Sequence, residues 1–143
     1  RKILFLCVHN SARSQMAAAL MNKHCGAVFE AKSAGLEPGT LNLLAVEVLR
    51  EIGIDISQNE TQRVFAVWKS GELFQYVITV CSEAEAQGCP IFPGPATRLH
   101  WPFDDPSKLT GTQEEKMAGT RAILKKIDDA VQEFCAKECL AAE

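Results

Sequence analysis

The run from position 7 to position 14 carries the chemically most informative residues of the chain, Cys-Val-His-Asn-Ser-Ala-Arg-Ser. A cysteine thiolate such as that of Cys7 is a nucleophile, and Arg13 offers a planar pair of N–H donors that fits two oxygens of a phosphate-like anion. An apolar stretch precedes the run and a helix-like one follows it, so backbone N–H groups and the helix dipole can converge on an anion. We expect Cys7 and Arg13 to be catalytic, and the oxyanion to be bound by Val8, His9, Asn10, Ser11, Ala12, Arg13 and Ser14.

Short polar side chains inside this loop support the same interpretation. Ser11 and Ser14 carry hydroxyls that can donate to a thiolate, and the positive surroundings favour the ionised form of Cys7. Asn10 tolerates a left-handed backbone and can tie the loop together. The alternative is a free cysteine that ends a core strand, followed by an unrelated arginine, and the serine and asparagine between them argue against it.

The segments around the loop alternate between strand-like and helix-like patterns. Continuous apolar runs are typical of strands buried on both faces, and apolar residues three or four apart are typical of amphipathic helices. The alternation predicts an α/β fold, a single domain over residues 1–143 with a four-stranded parallel sheet flanked by helices and joined by right-handed crossovers. The predicted strands cover residues 2–8, 28–33, 76–80 and 98–101, and the predicted helices cover residues 11–23, 43–52, 61–74 and 112–139, with an irregular stretch at 82–95.

The composition limits the classes of partner. The 143-residue chain has a net charge of −3, which gives no electrostatic reason to expect nucleic acid or a membrane surface as a partner. The basic and apolar start lacks a cleavage pattern of small residues, so a buried first strand explains it better than a signal peptide does. We expect a cytoplasmic protein, by default a monomer, whose six cysteines start reduced.

The loop resembles that of the low-molecular-weight protein tyrosine phosphatase superfamily, whose signature is Cys-x5-Arg-Ser after a first apolar strand. The sequence Cys-x-x-Asn-Ser-x-Arg-Ser-Gln-Met-Ala over residues 7–17 is similar in particular to its thioredoxin-coupled arsenate reductase branch. The resemblance covers essentially the whole chain and implies the phosphotyrosine protein phosphatase I-like fold. It also implies reduction of arsenate to arsenite, with phosphate or sulfate as weak oxyanion ligands and thioredoxin as the reductant.

A carboxylate follows the last predicted strand. Chemistry that removes an oxygen from a tetrahedral anion benefits from a nearby carboxylic acid that moves the proton. Asp105 and Pro106 match the Asp-Pro of the superfamily, whose aspartate is the general acid, so we expect Asp105 to be catalytic. By sequence alone an Asp-Asp-Pro turn is the simpler explanation, and the neighbouring Asp104 remains an alternative acid.

The other cysteines bear on the type of reaction. Because arsenate and phosphate are nearly isosteric, the loop alone does not separate a reductase from a phosphatase, and the two electrons must come from thiols that form a disulfide. Cys81 follows a predicted strand at the sheet end expected for Cys7, and Cys89 lies eight residues later in a polar stretch. The resemblance implies a relay in which Cys81 attacks the Cys7 sulfur and Cys89 resolves the Cys7–Cys81 disulfide. The alternative is a core thiol at position 81 and an incidental thiol at 89.

Three further cysteines and a cation site have weaker support. Cys135 and Cys139 lie one helical turn apart and could form a metal half-site or a minor redox pair, although an ordinary helix face is favoured. Cys25 is expected to be structural. Some members of the branch carry a monovalent cation beside the loop, but two of its acidic positions correspond to Ala18 and Gln62 here. We expect no metal and no cofactor.

Two other functions remain open. A low-molecular-weight tyrosine phosphatase would share the loop and the acid, but that branch usually places aromatic residues after its Asp-Pro. Ser107 and Lys108 stand there in this chain, whose only tyrosine is Tyr76, and both facts favour a small inorganic substrate. The second alternative is a non-enzymatic module that binds an anion or senses thiol redox state.

Overall fold

A computed structural model describes the backbone of residues 1–82 and 92–142, with side chains to residue 138. Cys89 and most of the predicted irregular stretch therefore lie outside the described residues. The strands are β1 (Lys2–Cys7), β2 (Glu30–Gly35), β3 (Tyr76–Thr79) and β4 (Thr97–His100). The helices are α1 (Arg13–Cys25), α2 (Leu43–Glu51), α3 (Val64–Lys69) and α4 (Gln113–Ala142), and a 3₁₀ turn covers Pro106–Lys108.

The four strands form one parallel sheet in the spatial order β2-β1-β3-β4, which confirms the predicted fold class. The apolar sequence of β1 suits an inner strand, since every residue after Lys2 is buried there. Cys7 pairs with Gly35 of β2, and Leu6 pairs with Thr79 of β3. The carboxyl ends of β1 and β3 are therefore neighbours at the edge of the sheet where open α/β folds bind ligands.

The two faces of β1 supply two hydrophobic cores, because successive side chains of a strand point to opposite sides. Ile3, Phe5 and Cys7 face the larger core, which contains buried residues of α1, α2 and α4. Leu4 and Leu6 face a smaller core that includes residues of α3. The nucleophile candidate Cys7 thus lies on the α1 side of the sheet, at the end of a fully buried strand.

Some predicted helix boundaries were wrong. The helix predicted for residues 61–74 is only α3, because Arg63 forms a parallel bridge with Gly35 and Gly71 has a left-handed φ of 79° just after the helix. Helix α1 begins at Arg13 rather than at residue 11, since Ser11 and Ala12 belong to the loop. Among the described helices, none combines the length and apolar character needed to cross a membrane.

A disulfide between Cys25 and Cys135 corrects the expectation that all cysteines are reduced. It joins the last residue of α1 to α4, and the sulfur of Met21 lies 3.2 Å from Cys25 Sγ and 3.6 Å from Cys135 Sγ. For Cys135, neither the favoured ordinary helix face nor the alternative pairing with Cys139 is therefore correct, whereas the expectation that Cys25 is structural agrees with the bond. Sequence reasoning missed the bond because its two cysteines are 110 residues apart and only the packing of α1 on α4 brings them together.

Candidate active site

The backbone of the loop between β1 and α1 is turned so that its carbonyl groups face neighbouring segments. Each of the six carbonyls at positions 7–12 accepts a hydrogen bond. A peptide's C=O and N–H point in opposite directions, so the N–H groups of the loop converge on its other side, where an anion can meet several at once. The donors, in the order of the carbonyls, are Leu36, Glu37, Gly39, Gln15, Asn42 and Met16, all through backbone N–H except Gln15, which uses its side-chain amide.

The first turn of α1 adds to this positive environment. Its N-cap is Ala12, and no side-chain hydrogen bond caps the helix within the described structure. The first N–H groups of a helix need partners and carry partial positive charge. An oxyanion at the loop would therefore supply acceptors that the cap residue does not.

Cys7 is the only free thiol among the cysteines whose side chains are described, and it is buried. The backbone N–H of Asn10 donates to Cys7 Sγ over 3.1 Å, and Ser14 Oγ lies 2.9 Å from the same sulfur. Donors at these distances stabilise a negatively charged sulfur. The geometry suits a cysteine that reacts as a thiolate.

Asn10 holds the centre of the loop in the left-handed conformation that asparagine tolerates, with a φ of 55°. Its Oδ1 accepts the backbone N–H of Gln62 over 2.9 Å, which fixes the orientation of the amide because a backbone N–H can only donate. Its Nδ2 donates to Ser14 Oγ over 2.7 Å. The asparagine therefore ties the loop, the first turn of α1 and the residue 62 segment together.

Gly35 permits this close approach between the loop and β2. A Cβ at this position would lie 2.7 Å from Asn10 N and 2.8 Å from Val8 O. Contacts this short with backbone atoms force the backbone to move. The end of β2 thus requires glycine for a packing reason.

Arg13 and Asp105 face each other beside the loop. Arg13 Nη2 lies 3.5 Å from Asp105 Oδ2, both side chains are less than one-tenth exposed, and Arg13 Nη1 donates to the carbonyl of Phe103 over 3.1 Å. Asp105 also caps the 3₁₀ turn, since its Oδ1 accepts from Ser107 N and Oγ over 2.9 and 2.8 Å. Asp105 can therefore cap the turn and also serve as the general acid, so the two interpretations are compatible. Asp104, the alternative acid, has an exposed side chain.

Two further polar side chains of the loop, those of His9 and Ser11, make no hydrogen bond to Cys7 in the described part of the chain. His9 is exposed, and its Nδ1 lies 3.1 Å from the carbonyl oxygen of Glu37. The two serines considered as donors differ, because Ser14 contacts Cys7 whereas no such contact of Ser11 occurs in the described part of the chain. Of the two, the geometry selects Ser14.

Cys81 follows β3 at the sheet end of Cys7, as the strand pattern predicts, and the strand order makes β3 the neighbour of β1. The backbone N–H of Val80 donates to Leu6 O over 2.9 Å, which places Cys81 at the same sheet end as Cys7. Cys81 is fully buried and disulfide-bonded, with its partner outside the residues whose side chains are described. An open cleft of about 570 Å³ lies beside Asp105; its lining residues are Ser82, Pro102, Phe103, Asp104, Asp105, Lys108 and Leu109.

Two buried or partly buried amides at the site make contacts that sequence reasoning did not predict. Gln15, 3% exposed, contacts Asn10, and Gln62 Nε2 donates to the carbonyl of Ser33 over 2.7 Å. A polar residue directly before the apolar positions of α1 was the available signal for Gln15. The resemblance placed position 62 beside the loop, but the sequence offered no signal for the hydrogen bonds that Gln62 makes with Asn10 and Ser33.

Comparisons with known proteins agree with this geometry. The sequence matches the family described as low molecular weight phosphotyrosine protein phosphatase over residues 2–143. The chain belongs to the low molecular weight phosphotyrosine protein phosphatase family. Similar curated proteins are the arsenate reductase of Bacillus licheniformis, 41% identical over 135 residues with 94% of each chain covered, and that of Bacillus subtilis, 40% identical over 134 residues with 92% of this chain and 93% of that protein covered.

Two solved structures with a similar fold are also named as arsenate reductases. An arsenate reductase from Archaeoglobus fulgidus superposes with a TM-score of 0.77 and 27% identity, covering 94% of this chain and 98% of that one. A thioredoxin-dependent arsenate reductase from Corynebacterium glutamicum has a TM-score of 0.68 and 29% identity, covering 98% of this chain and 62% of that one. All four of these similar proteins are thus named as arsenate reductases.

Proposed function

We propose that the protein is an arsenate reductase in which Cys7 is the nucleophile. The observation that carries the proposal is the placement of Cys7 Sγ within a loop whose carbonyls are all engaged elsewhere, with donors from Asn10 and Ser14 on the sulfur. Such a site accepts a tetrahedral oxyanion and presents it to a thiolate. We infer arsenate as the substrate because the similar proteins are named as arsenate reductases.

In the first step the Cys7 thiolate attacks arsenic(V) and an S–As bond forms. An oxygen leaves the arsenic as water, and Asp105, beside Arg13 at the loop, delivers the proton. The guanidinium of Arg13 and the loop N–H groups hold the remaining oxygens. This step moves no net electrons from the protein.

In the second step the thiolate of Cys81 attacks the Cys7 sulfur. An S–S bond forms, the S–As bond breaks, and its electron pair stays on arsenic, which leaves as arsenite. Cys89 then attacks Cys81, which frees Cys7 and leaves a Cys81–Cys89 disulfide that thioredoxin reduces. A disulfide-bonded Cys81 beside a free Cys7 is the distribution that this relay has after Cys7 is released.

The proposal includes the compartment, the domain organisation and the oligomeric state of the enzyme. A thioredoxin-coupled relay requires a compartment that supplies reduced thioredoxin, which fits the cytoplasm. We take residues 1–143 as one domain, because the larger core connects β1, α1, α2 and α4, and we take the monomer as the working form. Arsenate is the substrate, and phosphate or sulfate binds the same donors weakly.

Turnover with arsenate, thioredoxin, thioredoxin reductase and NADPH tests the proposal. The wild-type protein is expected to consume NADPH only when arsenate is present, and Cys7→Ser is expected to lose all turnover. Cys89→Ser is expected to complete about one reduction per chain and then stall, as a resolving cysteine requires. The double variant Cys25→Ala/Cys135→Ala is the matched control and is expected to keep turnover. It removes the Cys25–Cys135 disulfide, which lies about one helix length, ~20 Å, from the loop.

Two outcomes would contradict this function. Cleavage of para-nitrophenyl phosphate without arsenate turnover would identify a phosphatase instead. Turnover of Cys89→Ser at the wild-type rate would remove the relay.

A further inference from the structure

Gln15 is a buried amide whose hydrogen-bonding groups are engaged in tertiary contacts. Its Nε2 donates to Asn10 O over 3.2 Å, to Asn10 Oδ1 over 3.3 Å and to Glu60 O over 3.2 Å. Its Oε1 accepts from Asn59 Nδ2 over 3.1 Å. Because the backbone carbonyls can only accept, the orientation of the amide is fixed. Burial of a polar side chain costs free energy unless such partners are present.

The contact with Asn10 differs from the other contacts that hold the loop. Within the described structure, the carbonyls at positions 7, 8, 9, 11 and 12 accept from backbone N–H groups, whereas that of Asn10 accepts from the side chain of Gln15. Asn10 is also the residue with the left-handed φ of 55°. The carbonyl of the residue with the left-handed φ is therefore held by a side chain, and a single substitution can remove that contact.

We propose that Gln15 is a positioning residue that sets the reactivity of Cys7 through Asn10. The amide of Gln15 holds both the carbonyl and the side chain of Asn10, and Asn10 in turn aims its backbone N–H at Cys7 Sγ and its Nδ2 at Ser14 Oγ. Both donors to the sulfur thus depend on the orientation of one residue. The inference rests on the proposed role of Cys7 as the nucleophile and extends it to a residue that does not touch the sulfur.

Asn22 offers a matched comparison on the same helix. Its side-chain amide makes a two-way contact with Ala31 of β2, donating to Ala31 O over 3.1 Å and accepting from Ala31 N over 2.9 Å. This amide also bonds the backbone of another segment, but at the end of α1 remote from the loop. A purely structural role for Gln15 would make the two amides equivalent in their effect on Cys7.

The test is the rate at which iodoacetamide alkylates Cys7, followed by mass spectrometry of the peptide that carries it. Gln15→Met keeps the length of the side chain and removes the amide, and we expect the alkylation rate to fall about 5- to 20-fold. Asn22→Leu is expected to lower the free energy of unfolding while the alkylation rate stays within about twofold of wild type. Phosphate affinity, measured by calorimetry, should follow the alkylation rate, because the same peptide orients the anion donors.

A second variant serves if Gln15→Met does not fold. Asn59 is exposed, so Asn59→Ala should fold, and it removes the donor that orients Gln15 Oε1. We expect a smaller decrease in the alkylation rate, about two- to threefold. A rate equal to that of wild type in the folded variants, or an equal decrease in Asn22→Leu, would overturn the role of Gln15. A wild-type Cys7 that reacts no faster than a free cysteine would instead overturn the proposed function.

Discussion

Ser14 Oγ lies 2.9 Å from Cys7 Sγ, and it already accepts a hydrogen bond from Asn10 Nδ2 over 2.7 Å. The amide occupies an acceptor position of the hydroxyl, so the hydroxyl proton is available to the sulfur when the sulfur is ionised. Ser14, in the first turn of α1, thus acts together with the backbone N–H of Asn10 on the same atom. Two hydrogen-bonding groups, one from a side chain and one from the backbone, thus face the buried sulfur of Cys7.

Replacement of this serine should slow the chemistry of Cys7. We expect Ser14→Ala to reduce the rate of Cys7 alkylation about 10- to 100-fold, because a hydrogen bond to a charged group contributes ~1.5–3 kcal/mol. Ser70→Ala is the control, since Ser70 Oγ donates to Val67 O at the end of α3. An unchanged rate in Ser14→Ala would assign the stabilisation of the sulfur to the backbone alone.

Substitution of the two adjacent aspartates, Asp104 and Asp105, should affect kcat to very different extents. Asp105→Asn keeps an oxygen that can cap the 3₁₀ turn but removes the acid beside Arg13, so kcat for arsenate is expected to fall at least about 100-fold. Asp104→Asn alters an exposed neighbour and should change kcat by less than about threefold. Steady-state kinetics at saturating arsenate measures both. The reverse order of effects would make Asp104 the general acid.

A methyl group at Gly35 should disturb the anion site. Gly35→Ala places a Cβ 2.7 Å from Asn10 N, whereas Gly39→Ala places one 3.8 Å from His9 Cβ, an ordinary contact. We expect Gly35→Ala to weaken phosphate binding at least about tenfold and to lower the free energy of unfolding by ~1–3 kcal/mol. Calorimetric titration with phosphate and chemical denaturation test this, and equal behaviour of the two variants would show that the loop is not held against β2.

Glu72 should make the stability depend on acid pH. Burial acts to raise the pKa of Glu72, but its hydrogen bonds with Lys2 and Lys32 outweigh burial and hold the pKa below its ordinary value of 4.5. A carboxyl with a lowered pKa in the folded state stabilises the fold above the ordinary pKa, and this contribution is lost as the pH falls through the folded value. We therefore expect Glu72→Gln to lose about 0.5–1 kcal/mol at pH 7 and to show a smaller decrease of stability below about pH 4.5.

Denaturation curves of wild type and Glu72→Gln across the acid range provide the measurement. Glu47→Gln is the control, because Glu47 pairs with Arg50 on the exposed surface of α2 with both side chains at least half exposed. Parallel stability profiles for wild type and Glu72→Gln would show that the Lys2 and Lys32 contacts do not form in solution.

The Cys25–Cys135 disulfide should contribute to stability but not to the chemistry at Cys7. Its two ends are 110 residues apart, and closing a long loop lowers the entropy of the unfolded chain. We expect Cys25→Ala/Cys135→Ala to lower the free energy of unfolding by ~2–4 kcal/mol relative to the oxidised wild type, and a reductant to remove most of that difference. Alkylation of Cys7 should be unaffected, and a parallel loss of reactivity would connect this bond to the active site.

The sequence predicts those features of the fold that depend on residues close together along the chain. The apolar run of β1 and the helix-like residues after Arg13 predict a strand-to-helix corner, and the alternation of such patterns predicts the parallel sheet. Sequence patterns do not give the order of the strands, which decides that Cys81 follows the strand next to β1.

Contacts between segments that are distant in the sequence were not predicted. The partners of Gln15 come from residues 59 and 60, and the bond between Cys25 and Cys135 requires α1 to pack on α4. The bridge of Arg63 to Gly35 shortens α3 in the same way, since tertiary pairing overrides local helix propensity. Each miss concerns a contact between segments that are distant in the sequence and adjacent only in the fold.

The loop carbonyls are secured by protein donors before any ligand arrives, so binding an oxyanion requires little reordering of the backbone. A receptor this rigid recognises tetrahedral shape and charge, which phosphate and arsenate share. For the proposed reductase, phosphate is therefore an expected competitor of arsenate, and selection between the two anions falls to the step after binding, in which a sulfur can reduce arsenic but not phosphorus.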